Sequence, residues 1–301
     1  MLRLAGRSLA LVIAAIALLL LGLIADAERR RDGYFVERRG TQVSEVEDSS
    51  GGLNNDGFTL VNNTGLSVRV RVLLPAKHDV PLRTLVVLGG YGTGASAVEL
   101  VDDFDDIAVV ALDYPYDGSL RFDGGWEILR ALPAVRRALL DTPPSISLAV
   151  SWLERQSWVD VQRLELVGVS FGVPFAATAA ALDSRISRLW LMHGAADNYL
   201  WLKANVDRWA ERPWPQALLA RVLYWVAYAP SFNTTERVKA IAPRPVTIVG
   251  ARQDERTPKG ETEALFAAAA EPKQLLWTEG LHVEPRRKDV IRALLALVVH
   301  H

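Results

Sequence analysis

Six short apolar runs restrict the folds open to this chain more than any other feature. They lie at residues 84–88, 107–112, 164–169, 188–192, 246–249 and 274–277. None alternates apolar with polar residues, the pattern of strands buried on both faces of a parallel sheet. Amphipathic stretches at 95–104, 126–140, 145–156 and 287–299 separate them. Such a strand–helix rhythm predicts a doubly wound α/β domain. Ahead of the runs, residues 58–61 and 67–74 flank Asn62-Asn63-Thr64-Gly65. The second arm alternates with period two, which predicts an antiparallel hairpin. With 301 residues, 50% of them hydrophobic, the chain can bury a full core, as one large domain or two small ones.

The third run ends in Gly168-Val169-Ser170-Phe171-Gly172, and an Ala-rich helical stretch follows at 174–181. A strand-to-helix reversal at Ser170 needs small neighbours, and both glycines remove a Cβ that would clash. The serine then stands at the positive end of a helix, where the Phe171 N–H can meet an anion. A serine hydroxyl is a poor nucleophile at neutral pH. It needs a base, which in turn needs an orienting carboxylate. Both lie downstream: Asp254 in the loop after the run at 246–249, and His282 after the run at 274–277. Glu255 is the main rival acid, and Asp197 an outside one. Of the other histidines, His193 lacks a serine partner in the right order and is expected to line the site or satisfy a buried backbone carbonyl, His78 follows the hairpin, and His300 and His301 end the chain.

These stretches resemble the motifs of the α/β-hydrolase family. Gly168-x-Ser170-x-Gly172 resembles its nucleophile elbow, Gly250 to Asp254 to Pro258 its acid loop, and Gly280-Leu281-His282 its Gly-x-His loop, in the family's chain order. The resemblance spans most of residues 58–300. It implies an α/β-hydrolase fold: a mostly parallel, doubly wound sheet with an antiparallel N-terminal hairpin and a helical cap insertion. Ser170 is then the nucleophile, His282 the base and Asp254 its orienting acid. Gly89-Gly90-Tyr91-Gly92 resembles the family's His-Gly-x oxyanion loop with glycine replacing histidine, which makes the N–H groups of Tyr91 and Phe171 the oxyanion donors. The implied activity is hydrolysis through an acyl-enzyme, with a carboxylic ester as substrate and a peptide or amide as the alternative. No metal and no organic cofactor is expected. The partner is a small-molecule ester or acyl substrate.

The interval 197–232 is too long for a simple crossover and predicts a helical pair inserted over the ligand-binding edge. It holds Trp201, Trp209, Trp214 and Trp225, four of the nine tryptophans. They either pack the insert onto the core or line an apolar pocket, with Trp201 and Trp225 as the substrate-binding candidates. Two readings from other classes stay open. Gly92-x-Gly94-x-x-Ala97 with Asp113 after the next run outlines the dinucleotide fingerprint of an NAD(P)-dependent oxidoreductase. A non-catalytic binding protein of hydrolase shape would keep the fold without the chemistry.

A net charge of −1 leaves no footprint for nucleic acid. The absence of cysteine excludes a disulfide framework, a thiol nucleophile and a thiolate zinc site. Five histidines without a His-Glu-x-x-His pattern argue against a metallohydrolase. Residues 1–27 stand apart. Arg3 and Arg7 precede an uncharged run at 8–25, which as a helix reaches about 27 Å, close to a bilayer core. It is either an uncleaved membrane anchor or a signal peptide cleaved at Ala25-Asp26-Ala27, which would yield a periplasmic or secreted protein. Arg29-Arg30-Arg31 directly after the run resists export and favours the anchor. Residues 28–57 read as a polar linker or loose edge, and 58–301 as the hydrolase domain.

Overall fold

The computed structural model describes residues 32–46, 57–77, 80–90, 92–101, 106–116, 118, 125–208 and 213–300, with scattered positions between 14 and 30. Among them nine strands form one sheet. They are β1 (Val43–Val46), β2 (Phe58–Asn62), β3 (Ser67–Leu73), β4 (Leu82–Leu88), β5 (Ile107–Leu112), β6 (Val159–Val169), β7 (Arg188–Met192), β8 (Val246–Ala251) and β9 (Lys273–Thr278). The order across the sheet is β1-β2-β3-β5-β4-β6-β7-β8-β9. β1, β2 and β3 pair antiparallel, as do β3 and β5, while β5-β4-β6-β7-β8-β9 run parallel. Every predicted apolar run is a strand, and the predicted hairpin is β2–β3.

Strand order reverses at β4, with β5 on one side and β6 on the other. The carboxyl ends of β4 and β6 therefore border the switch-point crevice where open α/β sheets bind ligands. The helices are α1 (Asp32–Arg39), α2 (Gly125–Leu153), α3 (Val173–Leu182), α4 (Asn198–Asp207), α5 (Pro213–Val226), α6 (Thr234–Lys239), α7 (Glu261–Ala268) and α8 (Lys288–His300). One sheet face, built on Val86, Leu88, Val110, Leu164 and Leu166, is covered by α2 and α3, with α6 and α7 extending the cover. The other, built on Leu85, Val109, Val167 and Met192, meets α8 and a 3-10 turn at Gly94–Leu100. α4 and α5 pack against each other between β7 and β8, in the interval expected to hold the cap.

Three local expectations change. The separate amphipathic stretches at 126–140 and 145–156 belong to the single helix α2, which runs through Pro143-Pro144 up to Leu153. Two prolines remove two N–H donors. On either side of them, Thr142 Oγ1 bonds the Ala138 carbonyl and Ser145 Oγ the Asp141 carbonyl, both at 2.8 Å. The amphipathic stretch at 95–104 is a seven-residue 3-10 turn over its first part, and residues 102–105 lie outside the described residues. The expected linker contributes α1 and edge strand β1. Phe35 is buried, and Tyr34 Oη and Arg38 Nε both reach Asp141 Oδ1 on α2, at 2.6 and 2.9 Å. Its order comes from polar contacts that hydrophobic patterning does not register. Among the described residues no helix is long and apolar enough to cross a membrane. Most of the apolar run at 8–25 lies outside them.

Candidate active site

β6 ends at Val169, and Ser170 takes a φ of 53°. A non-glycine residue there stores about 1–3 kcal/mol of strain and persists only when its surroundings impose it. Two close approaches do so. A Cβ on Gly168 would lie 2.5 Å from that of Ala176, and one on Gly172 would fall on the Leu88 carbonyl oxygen. Glycine at both positions lets α3 and β4 close around the serine.

Ser170 Oγ lies 2.7 Å from His282 Nε2, and His282 Nδ1 lies 2.9 and 3.0 Å from the two carboxylate oxygens of Asp254. One tautomer satisfies both contacts: Nδ1–H donates to Asp254, and Nε2 accepts the serine proton. Three different strands deliver these residues to one edge, β6 the serine, β8 the aspartate and β9 the histidine. Asp254 Oδ1 also accepts the N–H groups of Arg256 and Thr257, each at 2.8 Å. Burial works to raise the Asp254 carboxyl. The hydrogen bond and charge of His282, together with these N–H groups, outweigh it and hold the pKa below the usual carboxylate value.

Glu255, the rival acid, grips the histidine's backbone. Its Oε2 accepts the His282 N–H at 2.8 Å, and its Oε1 pairs with Arg287 Nη1 at 2.7 Å. The same Arg287 nitrogen donates to the His282 carbonyl at 2.6 Å. Asp197 caps α4, accepting the N–H groups of Tyr199 and Leu200. Hydropathy and spacing separate neither role from that of a triad acid, because all three carboxylates follow strands.

His193, expected to line the site or satisfy a buried backbone carbonyl, instead accepts a backbone N–H and braces the loop that carries His282. It is wholly buried at a φ of 53°. Its Nδ1 accepts the Val283 N–H at 2.9 Å, so Nε2 carries the proton toward Thr278 Oγ1 at 3.1 Å. With Asp254 and His282 it is the one group of three potential metal ligands among the described residues, but both its ring nitrogens are already engaged. Burial, and next the charge of His282, push its pKa down to about 4, against the pull of Asp254 and Glu255. An unfolded histidine titrates near 6.5. Between the two values the unfolded chain binds the extra proton, so stability falls as pH drops from about 6.5 to about 4, by on the order of 3 kcal/mol. His193→Asn, whose side chain tolerates a positive φ, is expected to flatten Tm against pH across that window. An unchanged slope would contradict the assignment.

Of the predicted oxyanion donors, Phe171 follows the serine in the 3-10 turn Ser170–Gly172. Its ring packs against Tyr114, Phe175 and Trp201, with centroids 5.5, 5.3 and 6.0 Å away. Tyr91 lies outside the described residues, as do His78, Trp209, His301 and the side chain of Trp214. Gly90 and Gly92, on either side of Tyr91, line the same cavity as Ser170. Tyr114 Oη donates to the Gly89 carbonyl at 2.7 Å and ties down the start of that loop. Asp113, the ribose ligand of the dinucleotide reading, is turned elsewhere. Its Oδ1 accepts the Ala95 N–H at 2.7 Å and fills the space beside Gly94 that a Cβ would occupy.

The cavity at the serine measures about 840 Å³ and is predominantly aliphatic. Trp201 lines it. Trp225 does not: it packs against the core and meets Tyr224 at 5.5 Å. The two tryptophans thus divide between the two roles expected of the cap aromatics, because α4 faces the cavity and this part of α5 faces the core.

No family profile and no curated protein sequence matches the chain. Solved structures do. An acetyl xylan esterase from Paenibacillus sp. R4 superposes with a TM-score of 0.58 at 18% identity, covering 88% of this chain and 93% of the other. Acetyl xylan esterase 1 from Thermoanaerobacterium sp. JW/SL YS485 gives 0.57 at 15% identity, covering 90% and 93%. The α/β hydrolase GrgF from Penicillium sp. sh18 gives 0.56 at 18% identity, covering 86% and 97%. Identities this low speak to architecture. With its mixed nine-stranded sheet, antiparallel N-terminal hairpin and flanking helices, the chain has the α/β-hydrolase fold.

Proposed function

We propose that the protein is a serine hydrolase that cleaves a carboxylic ester through an acyl-enzyme. The observation that carries this reading is the continuous hydrogen-bonded line from Ser170 through His282 to Asp254. In the first half-reaction the Ser170 proton passes to His282 Nε2 as Oγ bonds the acyl carbon. The carbon–oxygen bond to the leaving group then breaks, and the alcohol departs with that proton. Water repeats the sequence on the acyl-enzyme and regenerates Ser170. Asp254 holds the imidazole in register and stabilises its charged form. The N–H groups of Phe171 and Tyr91 are the proposed donors to the tetrahedral oxyanion, each worth about 2.7–4 kcal/mol of barrier.

Ester is preferred over peptide because of the walls. A peptide brings an N–H and a C=O with every residue, and an aliphatic surface leaves them unsatisfied at a cost of about 1–3 kcal/mol each. The names of the superposed proteins, two of them acetyl xylan esterases, agree with ester cleavage. The purified protein is expected to hydrolyse p-nitrophenyl butyrate and to keep that activity after dialysis against EDTA. Loss on chelation, with recovery on adding a divalent ion, would count against the mechanism.

The proposed location is a membrane, with residues 1–27 as the anchor. Support comes from Asp26, which lies inside the alternative cleavage site. Its carboxylate accepts from Tyr228 Oη at 2.5 Å and pairs with Arg136 at 3.1 Å and Arg30 at 2.7 Å. A chain cut before Glu28 would lose all three contacts. Fractionation of cells expressing the full chain is expected to place it with membranes, whereas a soluble product beginning at Glu28 would support export.

A further inference from the structure

A second hollow, of about 330 Å³, lies where β6 passes between the amino ends of β4 and β7. Glu165 on its floor precedes Ser170 by five residues along β6. At about 3.3 Å per residue, the serine stands roughly 16 Å away. The floor is an ion pair sunk into an apolar strand, since Glu165 interrupts the buried run of Leu164, Leu166 and Val167. Its Oε1 accepts from Arg83 Nε at 2.9 Å, and its Oε2 from Arg83 Nη2 at 2.8 Å and Trp190 Nε1 at 2.7 Å. Both charged side chains are less than a tenth exposed. A buried pair is a weak source of stability, because desolvation offsets most of the attraction. What it does here is fix a guanidinium in place. The carboxylate takes Nε and Nη2, and Nη1 stays without a partner among the described residues and open to the hollow.

Two more guanidinium groups line the same space. Arg188 pairs in register with Glu165 across β6 and β7 and lies 5.6 Å from the centre of the Trp190 ring. Arg163 stands exposed at the rim. Asp160, further along β6, is turned to the Gln162 N–H at 3.0 Å and does not line the hollow. The lining residues therefore carry three positive charges, from Arg83, Arg163 and Arg188, against the one negative charge of Glu165. The surplus is two.

We infer that this hollow binds a phosphate dianion, either free or as the terminal phosphate of an ester. The charge of such a group equals the surplus, whereas a monocarboxylate would leave one cation unmatched. Guanidinium N–H groups match phosphate oxygens in pairs. One of the three is already held by Glu165, so less side-chain freedom is lost on binding. Calorimetric titration of the full chain at constant ionic strength tests the site, at about pH 8 where a phosphomonoester is a dianion. Inorganic phosphate and glycerol 3-phosphate are each expected to bind at a single saturable site, and acetate and chloride to give no saturable heat. Arg163→Gln and Arg188→Gln, on separate strands, are each expected to weaken binding about tenfold, the loss of one charge-assisted contact. Both substitutions keep the Arg83–Glu165 pair, and matched Tm values serve as the folding control. Sedimentation with phosphatidylcholine vesicles, with and without phosphatidic acid, separates a lipid headgroup from a soluble phosphate. Retention that rises with phosphatidic acid in the wild type but not in Arg163→Gln, without binding of either soluble phosphate, would assign the site to a lipid headgroup. Equal phosphate affinity in the wild type and both folded variants, or no Arg163-dependent binding in either assay, would overturn the site.

Discussion

Ser170→Ala is expected to lower kcat/KM for a p-nitrophenyl ester by on the order of 10⁶-fold, as losses at serine nucleophiles of this kind do. His282→Ala should cost about as much, and the double variant little more than either. The reason is the single proton path: Oγ at 2.7 Å from Nε2 makes the serine a nucleophile only while the imidazole can take its proton. Once either member is gone the other has no task, and what remains is catalysis by oxyanion donors and binding. Steady-state kinetics on the three variants, with matched Tm values as the folding control, measure this directly. Losses that multiplied in the double variant would mean that the two residues act in separate steps.

Asp254→Asn is expected to cost on the order of 10⁴-fold in kcat, with little change in KM. The amide nearly keeps the shape of the carboxylate, but it loses the charge that stabilises imidazolium and can offer His282 Nδ1 an N–H where an acceptor is required. Glu255→Gln should cost far less, since Glu255 holds the His282 backbone N–H while Asp254 holds the ring. Reversed magnitudes would exchange the two roles. The pH dependence carries a sign that can be checked. The Asp254 pKa is depressed in the folded protein, so its stabilising contribution is present above the unfolded value near 3.9 and disappears only as pH falls through the lower folded value. Protonation of Asp254 is therefore expected to cost kcat/KM only at lower pH than it would for an ordinary carboxylate.

The parallel sheet was legible because strands buried on both faces have no polar side to interrupt them, and all six runs stand out in the sequence. The residues brought together at the sheet edge were legible for a related reason: parallel strands place their following loops at one end, so the chain order of Ser170, Asp254 and His282 already implied proximity. The supports were not legible. Glu255 and Asp254 are neighbours in sequence, and only the direction of each side chain separates a grip on backbone from a grip on a ring. His193 reads as any histidine after a strand until Val283 is seen against its Nδ1. Trp225 was not legible either: an aromatic residue within the cap, it faces the core.

The claim on which the rest depends is that Ser170 is a nucleophile activated by His282. Incubation of the purified protein with a fluorophosphonate probe, followed by mass mapping of the labelled peptide, tests it most directly. The predicted result is one adduct per chain on Ser170, absent in Ser170→Ala and strongly slowed in His282→Ala. Labelling that persists in folded Ser170→Ala, or folded wild-type protein that takes up no probe, would contradict it.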